Sequence, residues 1–138
     1  MPDTVRKVNY AYVTAASRPG EAARVLEALR AANINLLAFS GFPQGRNKAQ
    51  IDLVTDDLDA LKAVARREKW KLSRIKRAFL VQGIDRVGAA LAPLAKTGGA
   101  NINVTAAYAI AAGEGRFGMI LWVAPSDYNR VAKLLEAV

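Results

Sequence analysis

The sequence predicts two tandem α+β units, each an antiparallel sheet with helices on one face. Three observations lead there. Residues 32–36 read ANINL, and residues 100–104 read ANINV, 68 positions later. At the same offset Arg18 meets Arg86, Gly20 meets Gly88, Leu53 meets Leu121 and Asp59 meets Asp127. Within each copy the hydrophobic period switches between two and about 3.6 residues, the signature of alternating strands and helices.

The elements follow in order. KVNYAYVTA (7–15) alternates and is rich in Tyr and Val, so it predicts a strand. Ser17-Arg18-Pro19-Gly20-Glu21 is a helix start, with Ser17 or Arg18 expected at the cap. Val25, Leu26 and Leu29 then recur at helical spacing. Asn33 is a helix stop, because a left-handed terminal residue is usually Gly and sometimes Asn. A strand is expected from Ile34 through Phe39, a turn over 42–47 and a strand over 49–55. Asp56 or Asp57 caps a second helix reaching about Lys69, and 71–83 is extended.

The second copy repeats the order. RAFLVQ (77–82) is its first strand, and Asp85-Arg86-Val87-Gly88 opens its helix. That helix stops at Gly98-Gly99, and Pro93 inside it is expected to kink it. Residues 102–110 and 116–124 form paired strands, with Tyr108 expected to face the helices. Ser126 or Asp127 caps the last helix. The units are expected at 1–76 and 77–138, and the second has no final strand of its own. Residues 71–83 must serve both units or split in two.

Composition narrows the chemistry. The 138 residues are 52% hydrophobic and 23% charged, a globular balance. Cysteine and histidine are both absent. Thiol nucleophiles, Ser-His-Asp triads and His/Cys zinc sites are thereby excluded. Asp56, Asp57 and Asp59 are the one acidic cluster, and their place at a helix start explains them by dipole complementarity. No catalytic residue, metal or cofactor is assigned. No apolar run approaches the roughly 20 residues of a membrane span, and the N-terminus lacks a signal-like apolar core. A soluble cytoplasmic protein without membrane contact is expected.

The net charge of +8 favours anionic partners. Residues 62–77, KAVARREKWKLSRIKR, carry eight basic side chains against Glu68 alone. A stripe of this kind could track a phosphate backbone. The predicted middle strands lack the paired aromatics with which such sheets stack bases, so a solvated face is the preferred reading and nucleic acid is not the expected partner.

S-R-P-G-E-x-x-x-V-L-x-x-L followed by N-I-N-L resembles the ACT domain, a small ligand-binding module of amino-acid metabolism. Its usual pattern is Asp-x-Pro-Gly at the helix start and Gly-Ile-Asn-Ile after the helix. The first copy keeps Pro19 and Gly20 but has Ser17 at the family's Asp. The second keeps Asp85 and Gly88 but has Val87 at the family's Pro. Asn33 and Asn101 stand at the family's Gly, and Asn35 and Asn103 at its Asn.

The resemblance spans almost the whole chain, and no attached enzyme domain is expected. It implies a ferredoxin-like βαββαβ fold and a small amino acid or related carboxylate bound where ACT-like units meet. The residues it implies are Ser17, Arg18, Gly20, Asn35, Asp85, Arg86, Gly88 and Asn103. Helix N-termini accept carboxylates, Gly permits close backbone approach, Asp85 could take an α-ammonium, and the Asn amides could add hydrogen bonds. The second copy's loop is favoured because it keeps the Asp.

The expected role is an amino-acid sensor or allosteric regulatory subunit, not an enzyme, acting on a separate metabolic enzyme. Apolar residues on both strand faces also predict that the units pack together and that the chain forms a homodimer. The alternatives are a nucleic-acid-binding module using 62–77 and a purely structural oligomerisation domain.

Overall fold

A computed structural model describes residues 3–138. Its elements are β1 (Thr4–Ala16), α1 (Glu21–Ala31), β2 (Ala38–Pro43), β3 (Lys48–Val54), α2 (Leu58–Glu68), β4 (Lys71–Leu72), β5 (Lys76–Ile84), α3 (Leu91–Gly99), β6 (Val104–Gly113), β7 (Arg116–Val123) and α4 (Tyr128–Leu134). They form two ferredoxin-like, ACT-like units. The N-terminal unit is Asn9–Lys76; the C-terminal unit joins the chain up to Val8 to Arg77–Val138. No helix among the described residues is long and apolar enough to cross a membrane.

The N-terminal unit has strand order β2-β3-β1-β4. β1 runs antiparallel to β3 with Val13 opposite Ile51, and to β4 with Val13 opposite Leu72. β2 pairs β3 with Phe39 opposite Leu53. Alternation aims Ala11, Val13, Ile51 and Leu53 at one face, where they pack with Val25 and Leu29 of α1 and Leu61 and Val64 of α2. Burying each of the valine, leucine and isoleucine side chains contributes about 1.5–3 kcal/mol.

The C-terminal unit has strand order β6-β7-β5-β1. Phe79, Val81, Met119 and Leu121 face its helices and pack with Ile102, Tyr128, Val131 and Leu135. The first half of β1 fills the place of the final strand that the second copy lacks. The Thr4 hydroxyl donates to the Gln82 carbonyl at 3.5 Å. Val138 joins the same segment: the Lys7 amide donates to its carbonyl at 2.8 Å, and its amide donates to the Val5 carbonyl at 3.0 Å. The stretch 71–83 is split, its strand broken between Leu72 and Lys76.

Several local expectations are corrected. α1 begins after Gly20, so neither Ser17 nor Arg18 is its cap. α3 begins at Leu91, six residues after Asp85. Pro93 is therefore the third residue of α3, where the missing N–H has no intrahelical partner to lose. Asp57 does cap α2, its carboxylate accepting from the Ala60 amide at 3.4 Å. A single 3₁₀ turn, Pro125–Asp127, leads into α4 without a side-chain cap. β2 starts at Ala38 rather than Ile34, because Ile34 is drawn into the core at the helix end. Tyr108 lies opposite Ile120, on the face away from the helices, and meets the Trp122 ring edge-on at 5.8 Å.

Candidate ligand-binding loops

Each unit presents two polar corners. The first is a tight turn between the leading strand and its helix. In the N-terminal unit the Glu21 amide donates to the Arg18 carbonyl at 3.4 Å. In the C-terminal unit the Ala89 amide donates to the Arg86 carbonyl at 3.1 Å. The third residue of each turn is glycine at positive φ, 88° at Gly20 and 79° at Gly88. That conformation defines a type II turn, which favours Gly at this position and Pro just before it. Pro19 satisfies the preference; Val87 does not, and it is fully exposed.

Carboxylates from the same chain already meet the arginines of both turns. Arg18 Nε donates to Glu21 Oε1 at 2.9 Å, and Arg24 reaches the same oxygen at 3.3 Å. Arg86 makes a two-pronged contact with Asp3, Nη1 to Oδ1 at 3.1 Å and Nη2 to Oδ2 at 3.0 Å. Its Nη1 also donates to the Ile84 carbonyl at 2.7 Å. The hydrogen bond to Asp3 raises the Arg86 pKa above its ordinary value. Gly83 makes room for this pair: a Cβ there would collide with the Asp3 carboxylate and come within 3.0 Å of the Phe117 ring. Ser17, Asp85 and Gly88 are exposed. The Ser17 amide donates to the Asn47 carbonyl and the Asp85 amide to the Gly115 carbonyl, at 3.0 and 2.8 Å.

The second corner is the ANIN segment. Asn33 and Asn101 are both left-handed, each with φ of 59°. The Ile34 amide donates to the Leu29 carbonyl and the Asn33 amide to the Arg30 carbonyl, both at 2.9 Å. Sixty-eight residues later Ile102 donates to Thr97 at 2.9 Å and Asn101 to Gly98 at 3.0 Å. This is the Schellman pattern, which satisfies the last helix carbonyls and folds an apolar residue back onto the helix. Asn35 and Asn103 follow as exposed residues of the connector, ahead of the strand rather than within it. The Thr55 hydroxyl donates to the Asn35 carbonyl at 2.9 Å and holds that connector.

The glycine turn and the asparagine corner stand at opposite ends of the same helix. α1 has 11 residues and α3 has 9. At 1.5 Å per residue the two corners of one unit are separated by roughly 14–17 Å. Asp85, Arg86 and Gly88 share one turn, as do Ser17, Arg18 and Gly20, but neither turn reaches the Asn35 or Asn103 of its own unit.

A hollow of about 410 Å³ lies beside the first asparagine corner, lined by Leu26, Leu29, Arg30 and residues 33–36. Arg30 donates to Glu27 at 2.6 Å at its rim. Arg30, Asp3 and Gly83 are not among the residues that the sequence predicts for the site. Arg30 was legible as the basic residue just ahead of the helix stop. The Asp3 contact spans 83 positions and carries no local signal.

No protein-family model matches the chain. No curated protein matches it either. Solved structures do. A protein from Bacteroides thetaiotaomicron superposes with a TM-score of 0.76 at 18% identity, over 97% of this chain and 88% of that one. The ligand-free regulatory subunit of aspartate kinase from Thermus thermophilus gives 0.63 at 15% identity, over 99% and 95%. The corresponding subunit from Thermus flavus gives 0.59 at 17%, over 98% and 94%. The chain thus shares its fold, across nearly its whole length, with regulatory subunits of aspartate kinase.

Proposed function

We propose that this protein is a regulatory ligand-binding chain that senses a small amino acid or related carboxylate and acts on a separate enzyme. The observation that supports the reading is the match of its two-unit fold, over nearly the whole of both chains, to regulatory subunits of aspartate kinase. The repeated polar corners add to it. In the C-terminal unit the turn offers Asp85 for an α-ammonium, and a ligand carboxylate would reach Arg86 by displacing the Asp3 carboxylate that it holds. Asn35 and Asn103 would supply amide hydrogen bonds. Because turn and asparagine lie a helix length apart within a unit, a ligand touching both would take the turn from one unit and the asparagine from another. Such a ligand would favour one arrangement of units over others, which is regulation by population shift. We assign the chain no catalysis of its own.

The test is a thermal-shift screen against the twenty amino acids at fixed salt. At about 100 times the dissociation constant, binding to the native state adds roughly 2.7 kcal/mol, a shift of several degrees. A selective shift that Asp85→Ala diminishes supports the reading. No shift with any amino acid overturns this ligand class.

A further inference from the structure

Gly83 is a glycine that its own backbone does not require. It lies inside β5, and it is not among the glycines at positive φ. A glycine within a strand weakens the strand and often marks a place where another group comes close. The group here is the Asp3 carboxylate, which lies where a Cβ of residue 83 would stand. Phe117 pairs with Gly83 across the sheet, and its ring would be 3.0 Å from that Cβ. Arg86 closes the third side with its two-pronged contact to Asp3.

Arg86 does not depend on Asp3 for its position. Its Nη1 also donates to the Ile84 carbonyl at 2.7 Å, and its guanidinium lies over the Phe117 ring at 5.6 Å. The fork therefore stays aimed at the space over Gly83 when the Asp3 carboxylate leaves. A planar guanidinium held in this way suits any carboxylate, through two parallel hydrogen bonds. The arrangement belongs to the second copy alone. The positions 68 residues before Gly83 and Phe117 are Ala15 and Ala49, which also pair across the sheet. Ala15 has the methyl group that Gly83 lacks, Ala49 offers no ring, and Arg18 turns instead to Glu21 on its own helix. α3 carries no acid in its first turn, so the carboxylate on Arg86 comes from 83 positions away.

We propose that Gly83, Phe117 and Arg86 form a carboxylate seat, and that Asp3 is its built-in competitor against a small-molecule carboxylate. The pair is open to solvent on the arginine side: the Arg86 side chain is 44% exposed and that of Asp3 14%. Pairs this exposed hold weakly, so an external carboxylate can exchange with Asp3. Asp3 thus sets the concentration at which such a ligand binds, because only chains with the seat vacated are competent. The proposal rests on the ligand reading above only for the molecule to which the carboxylate belongs.

The test uses acetate, a carboxylate without an ammonium group. It is titrated at constant ionic strength against the Arg86 Nε–H resonance in side-chain NMR spectra, with Arg86→Lys to assign the signal. In Asp3→Asn that resonance should shift saturably with acetate. In the wild type the midpoint should lie about two- to fivefold higher, the range for removing an exposed ion pair. Gly83→Ala, added to Asp3→Asn, should abolish the shift by filling the seat. The exposed Arg116 is the control and should show no saturation. Equal midpoints with and without Asp3 overturn the proposal. So does a lack of saturation at Arg86 in Asp3→Asn, or a shift that survives Gly83→Ala. Asp3→Ala takes the place of Asp3→Asn should the latter lose its native circular dichroism spectrum. Failure here is distinct from failure of the amino-acid screen. Acetate can saturate Arg86 in a protein that no amino acid stabilises, and a stabilising amino acid can leave Asp3 in place.

Discussion

Asn33 and Asn101 end their helices in the same left-handed conformation, with the same backbone bonds around them. Two further helix ends share the pattern without an Asn. Lys69 has φ of 58° and Glu136 has 54°. The Trp70 amide donates to Ala65 at 2.9 Å and the Ala137 amide to Ala132 at 2.8 Å. All four α-helices among the described residues thus close with a Schellman motif.

The left-handed conformation costs an ordinary L-residue roughly 1–2 kcal/mol, while Gly bears no such cost and Asn tolerates it. Lys69→Gly and Glu136→Gly should therefore stabilise the protein, each by about 0.5–1 kcal/mol after the added unfolded-state freedom of Gly. Asn33→Gly should be nearly neutral. Asn33→Val should destabilise by at least 1 kcal/mol, since β-branching worsens the conformation. Urea unfolding midpoints at constant slope distinguish these outcomes.

The repeat was legible because it encodes local geometry. A Gly at the third position of a tight turn and an Asn at a helix stop are constraints that a short window of sequence can state. Helix starts were harder to read. Polar residues at 17 and 85 look like caps, yet the glycine turns intervene and push each start downstream. Pro93 then falls in the first turn and needs no kink. The final strand of the second copy could not be read, because residues 4–8 come from the far end of the chain. Tyr108 was misplaced for a related reason: the irregularity between Val104 and Ala106 resets the alternation. The candidate site was legible only as two motifs. Their separation along one helix emerges once helix lengths are known.

Gly83 and Asp3 should be energetically coupled. Gly83→Ala puts a methyl group into the space of the Asp3 carboxylate, and overpacking of this kind typically costs about 1–3 kcal/mol. The Phe117 ring also limits the site, so part of the cost should persist whatever residue stands at position 3. The Asp3 part should vanish in Asp3→Ala. A double-mutant cycle by chemical denaturation is therefore expected to show the double variant less destabilised than the sum of the singles. Additive effects would mean that Asp3 does not lie over Gly83 in solution.

Asp52 is a buried carboxylate with neutral partners. It is 5% exposed, accepting from the Ser40 hydroxyl at 2.7 Å and the Gln50 amide at 2.9 Å. Ser40→Ala removes a donor across the β2–β3 pair and leaves the carboxylate less satisfied. The expected cost is about 1.5–3 kcal/mol, the range for hydrogen bonds to charged groups. Ser40→Thr keeps the hydroxyl and should recover most of it. Equal losses in both variants would assign the effect to packing at the β2 edge instead.

Tyr128 ties α4 to the sheet. Its ring stacks on Phe79 at 4.4 Å, Arg77 lies over it at 3.9 Å, and its hydroxyl donates to the Ala78 carbonyl at 3.1 Å. Burial raises the phenol pKa above its ordinary value of 10.0, while the Arg77 charge opposes the rise. The folded state therefore holds this proton more tightly than the unfolded chain does. The contribution is fully present below pH 10 and is lost as pH rises through the folded-state pKa. Tyr128→Phe keeps the stack but leaves the Ala78 carbonyl without this donor, at a cost of about 1–3 kcal/mol near neutral pH. The same variant should flatten the alkaline fall in stability seen in the wild type. Melting temperatures of both proteins between pH 8 and about pH 11 test this. An alkaline fall of equal size in the two proteins would assign it to other groups, such as the lysines.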